Sequence, residues 1–249
     1  MLVVFISNLA RPALVEAEAL SQALGLSLYD ARLVLAVPPP VIVLTTTDAG
    51  RADDILGVLR SRGHGAHIFD DANFVSSDAM TKADDFVLDA EGMRRTSSGE
   101  LLPYGDVFAI LRGVHDTTSE TERQTSPSVT DDFIAHAAAL GVTTKREERE
   151  PVAYFFRRSG EKPWLLRERH SSYVGLGDER TPIAFANFTR TIARMRENSS
   201  MAVYDDRLAR RRVFERLSPA GAQSPRKGMD LLAHLLAMTI ASQGGSPYR

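Results

Sequence analysis

Gly25-Leu-Ser-Leu-Tyr-Asp-Ala-Arg32 is the predicted turn between two helices, and it organises the N-terminal third of the chain. Before it, residues 13–24 have the 3.6-residue apolar spacing of an amphipathic helix, in Leu14, Ala17, Leu20 and Leu24. Gly25 is typical of the residue that follows a helix, and Ser27 is typical of an N-cap. The stretch therefore predicts a helix–turn–helix unit.

The flanking sequence extends this unit to a β-α-α-β-α-β order. The second helix has one apolar face, formed by Leu28, Ala31 and Leu35, and prolines 38–40 prevent it from continuing. A third helix is predicted over 49–62, with Asp48 as its cap and an inner face of Ala52, Ile55, Leu56 and Leu59. The apolar and β-branched runs that predict strands are residues 2–6, 41–46 and 66–69.

The motif at the turn resembles the Gly-Leu-x-Leu-x-x-Ala-Lys turn in the C-terminal domain of the bacterial ribosomal stalk protein. The Clp protease adaptor shares that fold. The resemblance covers residues 2–70 and implies a small α+β docking domain, which we place at 1–72. The stalk domain recruits translation factors with basic and small apolar residues on its first helices. Here that surface has Glu16 and Glu18 in place of the lysines.

The middle of the chain predicts antiparallel strands closed by one helix. Residues 71–83 lack a sustained period and indicate a linker. Strands are predicted at 85–89, 93–96, 101–111, 152–156, 164–169 and 172–175, and a short helix at 131–140. Thr181-Pro182 predicts the start of a longer helix, with a stripe formed by Phe185, Phe188, Ile192 and Met195.

This arrangement, with Leu101-Leu-Pro-Tyr-Gly-Asp-Val107, resembles a bacterial pleckstrin-homology-like domain. The resemblance covers residues 84–198, with 115–142 as an insertion and 112–129 as an exposed loop. Where that family binds phosphoinositides, basic residues lie in the first hairpin loop. Here that loop is the acidic Ala90-Glu-Gly92, which disfavours a lipid headgroup. The predicted fold class is thus α+β, with a β-α-α-β-α-β domain followed by a pleckstrin-homology-like domain closed by a helix.

Composition excludes several classes of protein. The chain of 249 residues has 43% hydrophobic and 25% charged residues, as globular proteins do, and it has no cysteine. Disulfides, thiolate metal sites and cysteine nucleophiles are therefore excluded. No run reaches the ~18 apolar residues of a membrane helix, and the start shows no signal-peptide pattern, so we expect a cytoplasmic protein without a membrane span.

Charge divides unequally along the chain. Residues 1–113 have nine basic and fifteen acidic residues, a net charge of −6, whereas residues 114–249 have a net charge of +4. This asymmetry is compatible with oriented complexes or with two ordinary surfaces of different composition.

Motifs for catalysis and cofactor binding do not stand out. The chain has no Gly-rich phosphate loop and no G-x-S-x-G elbow. The adjacent aspartate pairs do not form a dyad, because neighbouring side chains diverge on strands and helices. His64 and His67, with Asp70 and Asp71, form the one metal-like cluster, but a turn and a strand separate the two histidines. We therefore predict no cofactor and no metal, and we place Trp164 in the core.

The C-terminal residues 199–249 are predicted to be a basic segment, a linker and an apolar helix. The basic run 207–216 is compatible with a solvated helix face, with nucleic acid or with an acidic protein partner, and its acidic neighbours disfavour nucleic acid. The helix 229–241 has a wide apolar face and a polar strip at Asp230 and His234, so it must be buried on its own chain, on a second copy or partner, or on a membrane surface. The partner-binding candidates are Arg210, Arg211, Arg212, Leu231, Leu232, Leu235 and Leu236.

These observations favour a non-enzymatic cytoplasmic adaptor or scaffold that binds a protein partner or a second copy of itself. One alternative is an enzyme or small-ligand binder whose site forms only in three dimensions. Another is a nucleic-acid-associated protein that uses the Arg-rich segment 207–216.

Overall fold

The computed structural model describes residues 1–123, 142–210 and 225–244, with side chains described outside 117–123, 142–147 and 225. Its helices are α1 Ala13–Leu24, α2 Leu28–Leu35, α3 Ala49–Ser61, α4 Ala184–Asn198 and α5 Pro225–Gly244. Its strands are β1 Leu2–Asn8, β2 Val41–Thr46, β3 Gly65–Asp70, β4 Thr81–Lys82, β5 Phe86–Leu88, β6 Gly92–Arg95, β7 Leu101–Pro103, β8 Val107–Arg123, β9 Val142–Arg157, β10 Trp164–Arg167 and β11 Val203–Asp205.

Within the described ranges the strands form three sheets. An antiparallel sheet has the order β2-β1-β3, a second has the order β5-β6-β7, and a larger mixed sheet has the order β11-β8-β9-β10-β4. Helices and sheets occur together and a helix ends the described chain, so the α+β class is confirmed. The domain limits at residues 72, 84 and 198 stay a prediction.

The N-terminal β-α-α-β-α-β order follows local signals in the sequence. The Ser27 hydroxyl accepts a hydrogen bond from the Asp30 amide at 3.1 Å, and the Asp48 carboxylate caps α3. Gly25 ends α1 with φ of 68°, a conformation that favours glycine. Leu14 was expected to be buried and is exposed, whereas Glu16 on the same helix is buried.

The two faces of the N-terminal sheet are both covered. On one face Val4, Ile6 and Ala66 pack with α1, α2 and α3. On the other face Phe5 and Phe69 join a cluster that includes α5 and the β8–β9 hairpin. Because side chains alternate along a strand, β1 contributes to both layers.

Helix α5 is an interior element. Leu232, Leu235 and Leu236 pack in the cluster that also contains β1, β3, β8 and β9 residues. The sequence left three surfaces on which this helix could be buried: its own chain, a second copy or partner, and a membrane. In the structure the helix is buried on its own chain. The polar strip predicted at Asp230 and His234 is wrong, because both side chains are buried.

The free linker predicted at 71–83 is also wrong. Ser77, Met80 and Ala83 are buried, and β4 within this segment pairs with β10. The segment has no regular spacing of apolar residues because its backbone is irregular. It is nevertheless packed against α5 and the large sheet.

The predicted start of the insertion 115–142 is wrong. Strand β8 continues to Arg123 and pairs along its length with β9, where a loop from 112 was expected. The threonine-rich sequence of 117–121 is compatible with this extension, because β-branched residues favour strands. The helix predicted at 131–140 lies outside the described residues. Residues 172–175 form no strand, only one bridge between Gly175 and Val87.

Helix α4 begins later than the sequence predicts. Its N-cap is Ile183, and Thr181 binds the side chain of Asn187 instead of capping the first turn. The predicted stripe is partly correct, since Phe188, Ile192 and Met195 are buried whereas Phe185 is exposed. Trp164 is fully buried, as predicted.

Candidate functional site

The most accessible apolar surface in the N-terminal part lies on the outer sides of α1 and α2. Five large side chains contribute to it, with exposed fractions of 73% for Leu14, 61% for Val15, 38% for Leu28, 70% for Tyr29 and 44% for Leu33. We call these five residues the α1–α2 surface. Exposed apolar side chains that form a contiguous patch mark interaction sites in soluble proteins.

The amphipathic pattern of the two helices produces this surface. Ala17, Leu20 and Leu24 face the core from α1, and Ala31 and Leu35 do so from α2. The apolar side chains of the α1–α2 surface lie outside this core, whereas Ala13, Ala23 and Val34 are partly buried against it. On α2, Tyr29 and Leu33 are four residues apart and share one side of the helix.

A buried carboxylate secures the first turn of α1 beneath this surface. Glu16 Oε2 accepts hydrogen bonds from Arg62 Nε at 2.6 Å and from His64 Nε2 at 3.1 Å, while Arg11 lies 3.6 Å from Oε1. The Ala10 amide donates to His64 Nδ1 at 3.1 Å, so the ring proton is on Nε2. The hydrogen bond from Arg62 is the main cause that lowers the pKa of Glu16.

The structure separates the two histidines of the predicted metal-like cluster. His64 is buried against Glu16, whereas His67 is half-buried and stacks on Phe5. Among the described residues, no group of three or more His, Asp and Glu side chains could hold a metal ion.

The partner-binding candidates are not gathered on one surface. Leu231, Leu232, Leu235 and Leu236 are buried within the chain. Arg210 is exposed and lies 3.6 Å from Asp206, and Arg211 and Arg212 lie outside the described residues. Sequence reasoning missed the α1–α2 surface because it assigned Leu14 and Leu28 to inner faces.

A second polar cluster lies beneath α5. The Tyr154 hydroxyl donates to Asp230 Oδ1 at 2.9 Å, His115 Nε2 lies 3.0 Å from the same oxygen, and the Ser77 amide donates to Oδ2 at 2.7 Å. We call these four residues the Asp230 network, and all four are buried. They come from β8, β9, α5 and the 71–83 segment, so the network joins elements that are distant in sequence.

Electrostatics keep Asp230 charged and Tyr154 neutral. Burial alone would raise the pKa of Asp230, but the hydrogen bonds from His115 and Ser77 lower it below its usual value. Burial and the neighbouring Asp230 raise the pKa of Tyr154 well above its usual value. The network has the composition of a catalytic site, yet burial keeps a substrate away from it, so its direct effect is to fix α5.

His234 occupies an aromatic environment on the same helix. Its ring lies 5.1 Å from Phe156 and 5.6 Å from Phe74, centroid to centroid, and Nε2 is 3.0 Å from the Val75 carbonyl oxygen. Burial lowers its pKa to about 4, so the ring is neutral at neutral pH.

Comparison with family models, curated proteins and solved structures finds no match for this chain. Within the described ranges, none of the helices has the length and apolar character needed to cross a membrane.

Proposed function

We propose that this protein is a non-enzymatic adaptor or scaffold that binds another protein through the α1–α2 surface. The observation that carries the proposal is the exposure of five large apolar side chains on two consecutive helices. Each of them loses contact with water if a partner covers it, which stabilises a complex by about 1.5–3 kcal/mol for a fully buried side chain.

Tyr29 is the expected centre of this contact. It is aromatic, largely exposed and flanked by Leu33 one helical turn away. Tyrosine is enriched among the residues that dominate binding energy, because its ring buries a large area and its hydroxyl still finds a polar partner. We therefore expect Tyr29 to contribute more than any other member of the surface.

Charges of both signs accompany the apolar side chains. Arg11, Glu18, Asp30 and Arg32 are exposed on or beside the same two helices. Such a polar rim fixes orientation more than affinity. In the stalk domain that this region resembles, lysines on the first helices serve recruitment, so a chain with Glu18 and Asp30 here is expected to select a different partner.

The surface also has a rigid support. The buried faces of α1 and α2 share one core with Val4 and Ile6 of β1, and the opposite side of that sheet is covered by α5. A docking surface held on packed elements loses little conformational freedom on binding, which favours affinity.

Site-specific photocrosslinking tests the proposal. Tyr29 is replaced by the photoreactive residue benzoylphenylalanine, and the full-length chain is irradiated in the cells that produce it. We expect one discrete crosslinked species, identified by mass spectrometry as a partner protein or as a second copy of this chain. The same residue at Asp53, which is exposed on α3, is the matched control. Absence of a discrete product at position 29, or the same products from position 53, would contradict the proposal.

A further inference from the structure

Ser7 and His67 lie side by side on neighbouring strands of the N-terminal sheet. His67 Nε2 is 3.2 Å from the Ser7 hydroxyl oxygen, and both residues are half-buried. A serine hydroxyl within hydrogen-bond distance of an imidazole nitrogen is the basic unit of a base-assisted nucleophile.

The local backbone is shaped around the Ser7 hydroxyl. The pairing of β1 with β3 shifts register between Ile6 and Asn8, so Ser7 occupies an irregularity in the ladder. Bulges of this kind redirect a side chain and are frequent beside functional sites. A Cβ atom on Gly65 would lie only 2.7 Å from the Ser7 hydroxyl oxygen, so glycine at this position makes room for the hydroxyl.

The His67 ring is held in place by its neighbours. It stacks on Phe5 with a centroid distance of 5.4 Å and an interplanar angle of 26°. Burial, and after it the nearby Arg60 guanidinium, lower the pKa of His67, so the ring is neutral and able to accept a proton at neutral pH. Two hydrogen bonds to the Ala66 carbonyl, at 3.2 and 3.1 Å, fix Arg60.

We propose that Ser7 and His67 form a nucleophilic pair that an ester acylates once, a covalent modification without turnover that is separate from the non-enzymatic docking proposed above. The Ser7 oxygen attacks the ester carbonyl carbon while its proton passes to His67 Nε2. The carbon–alkoxy bond then breaks, and the leaving alkoxide takes the proton from His67 as an alcohol. The products are acylated Ser7 and a free alcohol, with His67 returned to its neutral form. The Arg60 cation near His67 disfavours the protonated ring, so His67 passes the proton on to the leaving alkoxide.

A tagged fluorophosphonate tests this pair in the full-length protein. The Ser7 oxygen would displace fluoride from phosphorus, and tandem mass spectrometry would locate the adduct. We expect the adduct on Ser7, its loss in Ser7→Ala, and a labelling rate at least tenfold lower in His67→Gln. Ser21 is the matched control, because its hydroxyl donates to the Glu18 carbonyl and has no histidine beside it. Ser21→Ala should label as the wild type does.

Three results would overturn the assignment. The first is that Ser7 is labelled no faster than Ser21 in the same wild-type molecules. The second is that Ser7 is labelled at an unchanged rate in folded His67→Gln. The third is that no adduct forms on Ser7 at all. The comparison of Ser7 with Ser21 needs no variant, so it decides the question even if the loss of the Phe5 stack prevents His67→Gln from folding.

Discussion

Asp230 is a carboxylate in the hydrophobic core, and its surroundings explain why it can remain there charged. Removing an ion from water costs several kcal/mol unless hydrogen bonds replace the lost hydration. The Ser77 amide, the Tyr154 hydroxyl and the His115 ring supply them. All three donors are buried, and His115 Nε2 also lies 2.8 Å from the Tyr154 hydroxyl, so the group acts as a unit.

Replacement of Asp230 by alanine should therefore be strongly destabilising. It leaves buried donors unpaired, and we expect the free energy of unfolding in urea to fall by about 3–5 kcal/mol. Asp206→Ala is the control, since it removes only an exposed ion pair and should cost at most ~1 kcal/mol. Equal effects of the two substitutions would show that the Asp230 network does not stabilise the fold.

The His234 ring predicts a specific dependence of stability on pH. Its pKa in the folded protein is about 4, below the usual 6.5, so between these values the unfolded chain binds a proton that the folded chain does not. The free energy of unfolding should thus be highest above pH 6.5 and fall by about 3 kcal/mol as the pH drops to 4. In His234→Gln this part of the pH dependence should be absent. The same slope in both proteins would contradict the account.

At the scale of elements, α5 is the helix that fills the cluster between the N-terminal and the large sheets. Leu235 is fully buried in the cluster shared by the N-terminal and the large sheets, and truncation there leaves a cavity. We expect Leu235→Ala to lower the free energy of unfolding by about 2–5 kcal/mol, measured by urea denaturation. Leu33→Ala on the exposed side of α2 should change it by no more than about 0.5 kcal/mol. A similar loss in both variants would mean that α5 is not packed as described.

The sequence predicts those elements whose signals are local. Ser27 and Asp48 cap helices within three residues of the amides they bind, and the spacing of Ala17, Leu20 and Leu24 identifies a buried face. These features need only the neighbouring residues.

Contacts between distant residues escape such reasoning. Glu16 is buried because Arg62 and His64, 46 and 48 residues later, reach its carboxylate. Asp230 is buried because His115 meets it from 115 residues earlier. In the sequence alone both acids resemble surface residues. The sequence therefore could not show that α1 turns Glu16 towards the core and leaves Leu14 exposed.

At the scale of the whole molecule, the described elements form successive layers. The helices α1, α2 and α3 cover one side of the β2-β1-β3 sheet, α5 covers the other, and the β8–β9 hairpin packs against α5 in the same cluster. The α1–α2 surface is the outward side of this stack. The proposed docking therefore uses the solvent-exposed side of two helices whose other side packs in the core.

One measurement tests the proposed docking most directly, namely the yield of the photocrosslink from position 29 in two paired variants. Leu14→Ser with Leu33→Ser changes the α1–α2 surface, whereas Val174→Ser with Ile183→Ser changes side chains that are 60% and 64% exposed elsewhere. We predict that the first pair abolishes the crosslink, that the second leaves its yield unchanged, and that both proteins keep the melting temperature of the parent. An undiminished crosslink in the first pair, or an equal loss in both, would contradict docking at the α1–α2 surface.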